Sequence, residues 1–136
     1  MKIGRLVVLA VAAGLWMPPA LSAHHSSSAF DTGKKMVLKG TVKQWVYSNP
    51  HCFLMIEVKS ESGDVVQWVA ETQAPSVIFP AGYRRDTFKP GEQVTITIEP
   101  FKDGRPFGRI LQTVLADGTS LGVAGSPPPA AAVPAP

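Results

Sequence analysis

From Met36 onward the chain reads as short runs in which every second residue is apolar, separated by clusters of glycine, proline and polar residues. Val37 to Tyr47 is rich in β-branched and aromatic residues, with Gly40 as the place for a bend or bulge, and Asn49-Pro50 closes it. Cys52, Leu54, Ile56 and Val58 then alternate with Phe53, Met55, Glu57 and Lys59, the pattern of a strand whose second face is also partly covered. Glu61 to Asp64 supplies a hairpin turn, and Val65 to Glu71 is the returning strand. These three segments make a meander.

In Ala74-Pro75-Ser76-Val77-Ile78-Phe79 the proline falls where a first helical turn tolerates it, while Pro80 and Gly82 limit the helix to a turn or two. Lys89-Pro90-Gly91-Glu92 is a turn. After it Val94, Ile96 and Ile98 alternate with Gln93, Thr95, Thr97 and Glu99, a polar loop runs from Lys102 to Gly108, and Arg109 to Ala116 makes the last strand before Asp117-Gly118. Three strands, a short helix and two strands, with a long bent first strand, predict an all-β domain of OB-fold type: a small five-stranded Greek-key barrel. An SH3-like barrel or a small sandwich is the competing topology.

The ends of the chain follow other rules. Lys2 and Arg5, an apolar run from Leu6 to Trp16, Pro18-Pro19 and then Leu21-Ser22-Ala23 have the layout of a cleaved export signal, which predicts a mature start at His24. The apolar run is shorter than the roughly 20 residues that span a bilayer, so no membrane anchor is expected. The destination is the periplasm or the exterior. Ser126 to Pro136 contains only Ser, Pro, Ala and Val, a composition that favours an extended, solvated tail. The expected organisation is a signal over 1–23, a flexible segment over 24–35, the barrel over 36–123 and the tail over 124–136.

Charge and cysteine content narrow the picture. Of 13 basic residues two leave with the signal, against 10 acidic ones that all remain, so the mature chain is nearly neutral and a nucleic-acid partner is not expected. Cys52 is the one cysteine, which rules out an internal disulfide in an oxidising compartment. A monomer is the expected state.

The segments His24-His25-Ser26, Phe30-Asp31, Gly40-Thr41-Val42 to Trp45, Asn49-Pro50-His51, Trp68 to Glu71, Pro75 and Lys89-Pro90-Gly91-Glu92-Gln93-Val94 occur in an order and spacing that resembles domain-of-unknown-function family 6152. The resemblance covers most of the mature chain and implies an exported bacterial protein with a compact β domain, without assigning an activity. Tyr83 departs from the pattern, which places tryptophan there in many members.

All three histidines fall at two places, His24 and His25 at the expected mature start and His51 at the head of the second strand. An N-terminal histidine offers its free α-amine and its imidazole together, and a second imidazole completes a three-nitrogen set suited to Cu(II). The candidate metal ligands are therefore His24 with His51 or His25, and copper the candidate cofactor. Against this, His24 and His25 also read as a solvated start, adjacent histidines on an extended segment point opposite ways, and His51 also reads as a turn cap donating to a backbone carbonyl. Cys52 faces away from His51 in a regular strand and reads as a buried structural thiol.

Trp45, Tyr47 and Trp68, with Phe53, Lys39 and Lys43, form the second constellation: a stacking face for a small ligand or protein partner, or barrel core. Arg84-Arg85-Asp86 reads as a solvated loop, and Glu71 as a cap for Ser76 or neighbouring amides. No phosphate loop, serine elbow or paired carboxylates are present, so no enzymatic activity is expected.

Overall fold

Alternation along the strands builds a closed barrel in the computed structural model, which describes residues 27–122. Strand β1 spans Met36–Val46, β2 Cys52–Lys59, β3 Val65–Thr72, β4 Gln93–Pro100, β5 Phe107–Leu115 and β6 Ser120–Gly122, with the short helix α1 at Pro75–Ile78 between β3 and β4. The sheet order is β3-β2-β1-β4-β5-β6, and a parallel pairing of β3 with β5 closes the ring. Five strands in that order with a helix between the third and fourth give the OB-type Greek-key barrel. The closing contact is what a sandwich lacks.

Register explains which residues fill the interior. Leu54 sits opposite Ala70, Ile56 opposite Trp68 and Trp45 opposite Leu54, while Ile98 faces Ile110. Because strand side chains alternate, Val42, Leu54, Ile56, Ile96, Ile98 and Ile110 all point inward, and each is essentially inaccessible to solvent. Burying each contributes roughly 2 kcal/mol. Shortening Leu54 to alanine costs about 3 kcal/mol, since the packed neighbours cannot collapse into the gap.

Gly40 serves the strand in a more specific way than a bend. A Cβ there would stand 2.5 Å from the Glu57 carbonyl oxygen, so only glycine allows β1 to pass this close to β2. The bulge itself falls between Val42 and Gln44.

Helix α1 begins on a proline and is stopped almost at once. Pro75 stands in the first turn, where its fixed φ fits and its missing N–H costs nothing, and Ala74 provides no side-chain cap. A single 3₁₀ turn, Phe79–Ala81, follows, and Gly82 at φ +100° ends it in the left-handed region. This turn and the helix place Ile78 and Tyr83, both fully buried, in the core. Arg84 lies over the Phe79 ring, 3.6 Å from its centroid, and donates to the Phe79 carbonyl at 2.6 Å. The loop is exposed, as its composition predicts, and Arg84 in addition clamps the helix C-terminus.

Two further features depart from the sequence reading. Strand β6 adds an edge beyond the five barrel strands, and its buried Leu121 lies so close over Gly82 that a Cβ at that glycine would meet the Leu121 side chain at 2.8 Å. Within the segment expected to be flexible, Ser27–Ala29 forms a 3₁₀ turn and Phe30 is 4% exposed. Phe30 pairs antiparallel with Phe101, Asp31 N–H donates to the Pro100 carbonyl at 2.8 Å, and Lys102 N–H donates to the Ala29 carbonyl at 3.0 Å. The expected signal over 1–23 and the expected tail over 124–136 lie outside the described residues.

Candidate functional site

The outer face of the barrel carries a polar row that the register assembles. Phe53 on β2 stands opposite Glu71 on β3, Glu71 opposite Arg109 on β5, and Arg109 opposite Glu99 on β4. Arg109 turns to Glu99, its Nε donating to Oε2 at 3.0 Å and its Nη2 also bonding that oxygen. The guanidinium lies over the Phe30 ring at 5.0 Å, and Phe30 meets Phe101 edge-on at 4.6 Å. The aromatic anchor of the N-terminal segment and the Arg109–Glu99 pair therefore pack as one unit.

Glu71 takes a different partner. Its Oε1 lies 2.7 Å from His51 Nδ1, with the Glu71 side chain 6% exposed and that of His51 47% exposed. The expectation that Glu71 caps Ser76 gives way to this contact, and the Nδ1 of His51 faces a carboxylate rather than a backbone carbonyl. The local cause is geometric: His51 precedes β2 by one residue, two positions before Phe53, which is opposite Glu71, so the imidazole is a diagonal neighbour on the same face. Glu71 Oε2 is buried without a hydrogen-bond partner. The Asn49-Pro50 bond before His51 is cis.

Cys52 points the other way. It is fully buried among the core side chains, its thiol 3.6 Å from the Ser48 carbonyl, and burial pushes that thiol above its ordinary range while the Ser48 contact offsets part of the rise. A thiol in that state is a poor nucleophile and a poor metal ligand.

The aromatic constellation divides in the same manner. Trp45 and Trp68 sit on inward positions and pack against the core, as does Tyr47. Trp45 Nε1–H donates to the Arg84 carbonyl at 2.9 Å and its ring meets Phe88 edge-on at 4.9 Å. Arg85 lies 5.6 Å from the Tyr47 ring centroid. On the exterior, Lys43 is engaged with Glu57 at 3.0 Å, while Lys39 is exposed. A separate cavity of about 230 Å³ opens between the 86–89 turn, Glu92–Val94 and Leu115–Asp117, and it contains none of the candidate residues.

Among the described residues, no group of three or more His, Cys, Asp or Glu side chains could hold a metal ion, and no helix is long and apolar enough to cross a membrane. His24 and His25 lie outside the described residues. What the described part contributes is one half-exposed imidazole, held through Nδ1 by a buried carboxylate.

The fold and this face define a small OB-type barrel with a histidine presented beside the strand-closure seam. The chain belongs to the family of unknown function DUF6152, whose model matches residues 13–110. No curated protein and no solved structure matches it.

Proposed function

We propose that this chain is an exported barrel that binds rather than transforms its ligand, and that the ligand is a transition metal, Cu(II) first, held by the His24 amine and ring together with His51, or with His25. The observation that carries this reading is the half-exposed His51 ring with Nδ1 already engaged, because Nε2 is then the nitrogen left for a ligand bond. Among the described residues nothing bonds to it.

The anchored N-terminal segment supports the same reading. Phe30 is fixed beside Phe101 on the β4 side, and from there four interstrand steps, roughly 19 Å, lead through β5 and β3 to His51 at the head of β2. The six residues from Phe30 back to His24 reach about 20 Å when extended. The histidines at the expected mature start can therefore meet His51 without undoing the Phe30 contact. The alternative, a metal-free module that binds a protein or small ligand through Trp45, Tyr47 and Trp68, draws less support because all three rings are partly buried and pack against the core.

The test is a competition titration of Cu(II) into protein that begins at His24, compared with His51→Ala. The proposal expects the substitution to weaken binding by about tenfold or more. Equal affinity in the two proteins leaves only a local N-terminal chelate and rejects the site.

A further inference from the structure

We infer that Glu71 is the positioning residue of the His51 site: its carboxylate fixes the imidazole as the Nδ1–H tautomer and so presents Nε2 outward as a bare ligand nitrogen. The metal-affinity part rests on the reading above; the tautomer does not.

Three observations lead here. The 2.7 Å contact between His51 Nδ1 and Glu71 Oε1 is short for an N–H···O bond, as expected when the acceptor is a carboxylate. The second is burial. Glu71 is 6% exposed on its side chain, so solvent does not compete for Oε1, and a carboxylate removed from water needs a partner. The third is the lack of any rival: Oε2 has no hydrogen-bond partner, and Arg109, the adjacent cation across the β3–β5 seam, is turned to Glu99. His51 is thus the group through which this buried carboxylate finds compensation among the described residues.

The electrostatics then name the class of guest. A cation on Nε2 polarises the ring toward Glu71 and supplies, through the imidazole, the positive charge that the buried carboxylate lacks. An anion at Nε2 would instead face a second negative charge across the ring. A carboxylate behind a histidine holds the ring plane, and loss of such a partner lowers metal affinity by roughly 10- to 100-fold. The arrangement therefore selects divalent transition ions over anionic ligands.

The experiment has two arms. In metal-free protein beginning at His24, two-bond ¹H–¹⁵N correlation spectra read the His51 tautomer directly. A proton on Nδ1 is the expected result, and a proton on Nε2 overturns the inference whatever the protein binds. In the second arm, Glu71→Gln retains the side chain's size while removing its charge, and thermal unfolding verifies that the fold is kept. Cu(II) affinity is expected to fall about tenfold or more; unchanged affinity in the folded variant overturns the positioning role. Should Glu71→Gln fail to fold, the wild-type spectrum alone still decides. Copper affinity unchanged by His51→Ala contradicts the metal reading by itself, since the tautomer is measured without metal.

Discussion

The phenol of Tyr83 crosses the barrel interior to donate to the hydroxyl of Thr113 on β5 at 3.0 Å, in a position where neither side chain meets solvent. Burial pushes this phenol up to about 12, with the Thr113 bond offsetting part of the rise. In the unfolded chain a tyrosine titrates near its ordinary value of about 10. Between those limits the folded state retains a proton that the unfolded state has lost, so stability is full below about pH 10 and falls as pH rises toward 12. A two-unit gap corresponds to roughly 3 kcal/mol. Denaturant unfolding at pH 7 and at pH 11 checks it: Tyr83→Phe is expected to lose about 1 kcal/mol at pH 7 and to show a shallower decline above pH 10. An equal decline in both proteins contradicts the assignment.

Gly40 predicts a steric effect with its own control. Alanine there brings its methyl against the Glu57 carbonyl, a backbone atom that cannot swing aside, and β1 must separate from β2. Gly40→Ala is expected to destabilise by about 2 kcal/mol. Gly122→Ala, whose methyl meets nothing within 4 Å, should change stability by less than about 0.5 kcal/mol. Matched urea melts decide between them.

Phe30 joins the N-terminal segment to the barrel, so its loss should be visible in two measurements. Phe30→Ala removes a buried ring packed on Phe101, Phe107 and Arg109, at a cost of about 3 kcal/mol. Amide hydrogen exchange should then show Asp31 and Lys102, whose N–H groups tie the segment to the barrel, opening well before the β1–β4 ladder. Uniform exchange across the domain would show that Phe30 is ordinary core.

The barrel was legible in the sequence wherever alternation was long. Cys52–Lys59 was readable to the residue, and β1 and β3 to within one residue at each end, because period-two apolar runs bounded by Gly, Pro and Asn have few other solutions. Strand β6 was not, since Ser120–Gly122 is too short to show any period. Phe30 is a lone aromatic between a serine run and Gly33, and nothing local distinguishes an anchor from a solvated residue. The His51–Glu71 contact did leave a signal. A hairpin turning over Glu61–Asp64 pairs Lys59 with Val65 and therefore Phe53 with Glu71, which puts His51 diagonal to Glu71. Reading residue types without the register hid it.

The central claim is that His51 and the N-terminal histidine share one ion. Pulsed electron paramagnetic resonance on the Cu(II)-loaded protein beginning at His24 tests it most directly, because the remote imidazole nitrogen of each ligating histidine modulates the echo. Removal of one imidazole contribution in His51→Ala, together with weaker binding, is the predicted result. Identical spectra and affinity in the two proteins would contradict it.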